Sequence, residues 1–161
     1  MNIRVNKNSL RVGVISDTHG QVRKQLFTVF SGVEYILHAG DIGSIEIIKT
    51  LEKIAPVCAI IGNNDSRNAF TNLSDTAVFE TEQSRIMLVH DCNQLDRNTF
   101  SQRINAIIFG HTHSPLIEYR ENVLFLNPGS AGPRRFDLPV SVAILEIFGN
   151  TLKPVLIQIS I

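Results

Sequence analysis

Short apolar runs, each stopping at a polar tip of Gly, Asp, Asn or His, constrain this chain more than any other feature. The run at 11–16 ends at Asp17-Thr18-His19, the run at 35–38 leads to Gly40-Asp41, and the run at 57–61 ends at Gly62-Asn63-Asn64-Asp65. Between them, Val22, Leu26, Val29, Phe30 and Val33 recur at helical spacing, which predicts an amphipathic helix over about 21–31. Ser44 is placed to cap a second helix with a buried stripe of Ile47, Ile48, Leu51 and Ile54. The first 65 residues therefore read β-α-β-α-β, the pattern of parallel strands covered by helices.

The character changes after residue 75. Segments 77–80, 85–89, 106–109, 116–119, 123–126, 140–147 and 152–159 read as strands, with turns at Glu121-Asn122 and Gly149-Asn150. Asp96 is expected to cap a short helix reaching about 103. A parallel half followed by a mostly antiparallel meander predicts an α/β fold of two stacked mixed β-sheets flanked by helices. Residues 1–10 are polar and irregular and read as a loose arm, with a single domain over 11–161.

Fifteen basic and fifteen acidic residues cancel. Nucleic acid held by bulk charge and a polybasic membrane contact are therefore not expected. No apolar run reaches the roughly 20 residues that cross a bilayer, and the first residues lack a signal-peptide apolar core, so a cytoplasmic location is expected. Cys58 lies in an apolar run and reads as core, and Cys92 follows His90-Asp91. Two cysteines make no disulfide framework. Gly-x-Ser-x-Gly, Walker A and Gly-x-Gly-x-x-Gly loops are absent.

Four of the five histidines fall at the polar tips: His19, His90, and the pair in Gly110-His111-Thr112-His113. Strand C-termini are where open α/β sheets place ligands. Asp17 and His19, two apart, would point the same way on an extended chain. Imidazole and carboxylate donors suit Mn, Fe, Co, Ni or Zn, and no cysteine cluster marks a closed zinc site. Asp17, His19, Asp41, Asn63, His90, His111 and His113 are too many ligands for one ion. They suit two ions about 3.5–4 Å apart sharing a carboxylate, an arrangement that attracts anionic phosphate esters.

The ordered series Asp17-x-His19, Gly40-Asp41, Gly62-Asn63-x-Asp65, His90 and Gly110-His111-x-His113 resembles the calcineurin-like metallophosphoesterase superfamily over about 11–147. The short chain, His38-Ala39-Gly40-Asp41 and Asn127-Pro128-Gly129-Ser130 resemble its small bacterial and archaeal phosphodiesterase branch. The resemblance implies one divalent ion held by Asp17, His19, Asp41 and His113, and a second by Asp41, Asn63, His90 and His111. Asp41 would be the bridge, and a hydroxide between the ions would attack a phosphodiester in line. Mn²⁺ is the first expectation, with Fe, Ni, Co and Zn as alternatives.

Catalytic roles fall on this resemblance to Asp41, His19 and Asn64, and substrate contacts to Asn64, Asn127, Ser130 and Arg134. Asn64 stands where many relatives have histidine, and asparagine donates a hydrogen bond but not a proton near neutral pH. Asp91 stands where glycine is usual, either orienting His90 or facing solvent. The Asn127–Ser130 turn either lines the cleft or serves only as a turn. His38 reads as a buried hydrogen-bonding residue and Asp65 as a loop-fixing acceptor. Other readings are a phosphomonoesterase, or a scaffold like the small retromer subunit, whose metal site is degraded. A homo-oligomer is compatible with the apolar late strands.

Overall fold

The computed structural model describes residues 2–95, 103–135 and 137–160. Eleven strands appear among them: β1 (Asn2–Arg4), β2 (Ser9–Ile15), β3 (Tyr35–His38), β4 (Val57–Ala59), β5 (Thr76–Glu80), β6 (Arg85–Val89), β7 (Ala106–Ile108), β8 (Leu116–Arg120), β9 (Val123–Asn127), β10 (Ser141–Phe148) and β11 (Thr151–Gln158). Two short helices, α1 (Gln25–Val29) and α2 (Ile45–Leu51), and a 3₁₀ turn at Cys92–Gln94 complete the set. The strands form two mixed sheets, ordered β1-β5-β6-β7-β9-β8 and β11-β10-β2-β3-β4. The α/β fold expected from the sequence is thus present.

Strand alternation builds the layers, because successive side chains face opposite ways. Val12, Val14, Leu37 and Leu145 from one sheet pack with Phe79, Leu88, Ile108 and Leu126 from the other in the central core. On the outer face of the five-stranded sheet, Ile36, Val142 and Ile144 pack with Leu26, Phe30, Ile47, Ile48 and Leu51 of the helical layer. Gly13 lies under the Phe30 ring, where a Cβ would stand 3.0 Å from the ring edge. The outer face of the other sheet carries a third cluster, with Val89, Ile107, Phe109 and Phe125.

Each sheet contains one parallel triplet. β2, β3 and β4 are parallel neighbours, and so are β6, β7 and β9. This second triplet makes the late half less of a meander than the hairpin signals suggest. Its consequence is functional: six strand C-termini from two sheets deliver their following residues to one edge.

Other local expectations change. Residues 2–4 are a strand instead of part of a loose arm. Asn2, Ile3 and Arg4 pair in parallel with Val78, Phe79 and Glu80, and Ile3 and Val5 pack on the central core. The first helix is shorter than its apolar spacing implies, because a turn from Thr18 to Gln21 precedes it and Gly32, at φ 78°, follows it. Ser44 occupies the N-cap position of α2 without a side-chain capping bond. The helix expected from Asp96 to 103 lies outside the described residues. Among those described, no helix is long and apolar enough to cross a membrane.

Candidate metal centre

Backbone strain marks the site. Seven non-glycine residues among those described have positive φ. Two of them, Glu121 and Asn122, make the β8–β9 hairpin turn. The other five are Asp17 (52°), His19 (45°), Asp41 (54°), His111 (66°) and His113 (58°). L-residues adopt this left-handed region at a cost of about 1–3 kcal/mol each, so such residues collect where function fixes them. The convergence of Asp17 and His19 therefore comes from left-handed turns past the strand end, and not from an extended chain as their spacing suggests.

Four of these residues, Asp17, His19, Asp41 and His113, come together with His90, which follows β6. His113 Nε2 lies 3.2 Å from Asp17 Oδ1, and His19 Nε2 lies 3.7 Å from Asp41 Oδ2 and 3.4 Å from His113 Nε2. His90 Nε2 lies 3.4 Å from Asp41 Oδ1. Asp17, His19 and His113 form one group with donor atoms within 4.8 Å of one another, and Asp17, Asp41 and His90 form another. Asn63 and His111 stand at the exposed rim, joined by a 3.0 Å contact between Oδ1 and Nδ1. The His111 ring centroid is 5.4 Å from that of His90.

The chemistry of His90 decides what fits here. Its Nδ1 is 2.7 Å from the Ala39 carbonyl, which can only accept, so Nδ1 carries the proton and the neutral ring leaves a lone pair on Nε2. That lone pair faces an Asp41 carboxylate oxygen, and His90 Nε2 and Asp17 Oδ1 are both buried without a hydrogen-bond partner. Two buried acceptors facing each other repel unless a proton or cation lies between them. Burial opposes protonation of His90, but the Asp41 carboxylate and the Ala39 carbonyl outweigh it and raise its pKa. Burial likewise favours neutral Asp41, yet His90 and Asn64 hold its carboxyl below the usual range. A divalent cation satisfies the same atoms, and the donor set of imidazole and carboxylate fits one.

Supporting bonds fix the loops. Asp65 accepts from the backbone N–H groups of Ile42 (3.0 Å), Gly43 (2.9 Å) and Gly62 (2.9 Å), tying the Asp41 and Asn63 loops together. Asp65→Ala leaves three donors without this acceptor, and a stability loss of about 2–3 kcal/mol is expected in urea denaturation.

His38 is fully buried. Its Nδ1 accepts from Gly40 N (3.2 Å), so Nε2–H donates to Thr18 Oγ1 (2.9 Å), which itself donates to the Ile42 carbonyl. Burial pushes the His38 pKa down to about 4. The unfolded chain binds this proton near pH 6.5 and the folded chain does not, so stability is full above about 6.5 and falls toward pH 4, by up to about 3 kcal/mol. Denaturation midpoints measured across this window check it, since His38→Gln removes that part of the slope.

Several expected roles move. Asn127 is fully buried. Its amide donates to the Gly110 carbonyl and Thr112 Oγ1, and its Oδ1 accepts from Gly129 N. Ser130 is also buried and donates to the Asp17 carbonyl. Both hold site loops in place, and their polar atoms are not offered to a substrate. Asp91 does not orient His90. It caps the 3₁₀ turn through Asn93 N, and the Ala39 carbonyl takes the orienting place. Arg134 lines a separate pocket with Asp137 and Gln158. It is the Arg135 charge that is felt at His19, whose pKa is pushed down chiefly by burial. Asn64 is exposed and held on Asp41, with Nδ2 2.6 Å from Oδ2 and its backbone N 2.9 Å from Oδ1. Burial raises the Cys92 thiol pKa, which does not favour a thiolate ligand.

The calcineurin-like phosphoesterase superfamily domain matches residues 10–150. The chain belongs to this superfamily. Among its phosphoesterase relatives is a probable metallophosphoesterase of Methanothermobacter thermautotrophicus, 37% identical over 159 residues and covering 91% of each chain. A phosphodiesterase of Methanocaldococcus jannaschii is 30% identical, covering 92% of this chain and 100% of its own. Among solved structures, wild-type Vps29 from Entamoeba histolytica, complexed with Zn²⁺, is 25% identical. It superposes with a TM-score of 0.70 over 92% of this chain and 99% of its own. The superfamily implies divalent metals, and the two donor groups are residues that could hold an ion in this member.

Proposed function

We propose that the chain hydrolyses phosphodiesters at a centre of two divalent ions bridged by Asp41. The observation that supports this most is the buried pair of unpartnered acceptors, Asp17 Oδ1 and His90 Nε2, facing a shared centre. Asp17, His19 and His113 would hold one ion, Asn63, His90 and His111 the other, and Asp41 both. When bound, such ions act as Lewis acids, lower the pKa of water and neutralise phosphate charge. The Ala39 carbonyl keeps the His90 lone pair aimed inward. Asn64, beside Asp41, offers an amide donor to a phosphate oxygen but no proton, so esters with good leaving groups are favoured. Arg135, whose charge is felt at His19, replaces Arg134 as the cation proposed to meet the phosphate. With N and O donors only, Mn²⁺ is the first ion to supply.

A scaffold role is the second reading, because the E. histolytica Vps29 is itself a zinc complex. Metal binding alone does not separate the two, and turnover does. Purified full chain with added Mn²⁺ is expected to release p-nitrophenol from bis(p-nitrophenyl) phosphate between pH 6 and 9. No release across that range would overturn the hydrolase reading. Faster release from p-nitrophenyl phosphate would favour a monoesterase.

A further inference from the structure

We infer that an open groove on the Asn63–His90 flank of the centre takes one arm of the diester, an uncharged organic group of aryl or nucleoside size. The inference rests on the phosphodiesterase reading and names its substrate class. The groove measures about 570 Å³ and reaches the centre through Asn63 and His90, which line both. That volume lies within the roughly 300–1,000 Å³ of small-molecule sites, whereas a methyl or glycerol arm would leave most of it to water.

Its surface points to a neutral occupant. Met87, Val89 and Leu95 give it an apolar wall, continuous with the cluster on the outer face of the six-stranded sheet. Among the described residues, the positive charge lining the groove outside His90 is Arg67, which is held by both oxygens of Asp75 at 2.8 and 3.0 Å. Asp65 adds a carboxylate that faces backbone N–H groups. A second phosphate in this groove would meet two carboxylates and one cation already paired. A neutral, partly apolar groove thus lies beyond His90. This orients a diester with its charged oxygens away from the groove and its organic arm in it.

Three p-nitrophenyl diesters with the same leaving group test this: the methyl, phenyl and thymidine 5′-esters, assayed on the Mn²⁺-supplemented full chain. Calorimetric binding of non-hydrolysable methylphosphinates, in which P–C bonds replace both ester bonds and the second carbon belongs to a methyl, phenyl or thymidine 5′ arm, provides a readout apart from turnover. The phenyl and thymidine arms are expected to raise kcat/KM and affinity about tenfold over methyl. Leu95→Glu is expected to lower both about tenfold more for the large arms than for methyl. Equal kcat/KM and equal binding across the three arms would overturn the groove while leaving the hydrolase reading intact. Arm-dependent binding without hydrolysis of any ester would support the groove and overturn the hydrolase reading.

Discussion

Asp41→Ala is expected to abolish hydrolysis of an activated diester, with kcat falling on the order of a thousandfold or more. Asp41 is 2% exposed and lies between both donor groups, 3.7 Å from His19 Nε2 and 3.4 Å from His90 Nε2. Its carboxylate also receives the backbone and side-chain bonds of Asn64. Removing it deletes the shared anion on which the two-ion reading depends and frees the loop that carries Asn63. Kinetics with a thermal melt check the result, because a folded variant retaining more than a tenth of wild-type kcat would refute the bridging role. Asp41→Asn, which keeps the shape and removes the charge, separates lost metal affinity from lost packing.

Gly62→Ala is expected to have the second largest effect, although it removes no functional group. A Cβ at Gly62 would overlap Asp41 Oδ1 and the Asp41 backbone nitrogen, and would stand 2.9 Å from its carboxylate carbon. A backbone atom cannot swing aside as a side-chain end can, so the Asp41 loop must shift. Overpacking of this kind costs about 1–3 kcal/mol, which lowers Tm by about 3–10 °C for a domain of this size. A displacement of about 1 Å at the bridging carboxylate also lowers kcat on the order of a hundredfold. Gly32→Ala is the control. Its site is open apart from the Arg11 guanidinium at 3.8 Å, and φ there is 78°, so it should lose stability alone. Unchanged kcat in Gly62→Ala would show that the carboxylate position is not held by this contact.

The layered fold was legible because short apolar runs buried on both faces, as at Tyr35–His38 and Ala106–Ile108, mark central strands, and the polar tips mark the strand ends. Pairing was less so. Nothing in the residues between 89 and 106 reveals that β6 and β7 run parallel, since direction is set by a connection whose path tertiary packing decides. The strand at 2–4, within the arm expected over 1–10, is not legible because three residues are too short to show a period, yet one sheet edge suffices to pair them.

Within the site, residue types marked the donors but not the cause of their convergence. Left-handed backbone at Asp17, His19, Asp41 and His113 accompanies their convergence, His111 shares it at the rim, and no residue pattern announces positive φ at histidine. Backbone groups are equally silent. The carbonyl of Ala39 orients His90, a role the sequence suggested for the adjacent Asp91. Neighbouring arginines cannot be told apart by type, so Arg134 and Arg135 were separable only once their surroundings were known. Asn127 and Ser130 carried a turn signal, and burial shows that the turn braces the site from behind.

The central claim is a pair of divalent ions sharing Asp41, and the most direct measurement is the number of Mn²⁺ ions bound per chain at saturation. Equilibrium dialysis of the full chain, with manganese and protein both quantified, is predicted to give two ions per chain for the wild type and a loss of both in Asp41→Ala. Saturation at one ion or none, or the same stoichiometry and affinity in Asp41→Ala, would contradict it.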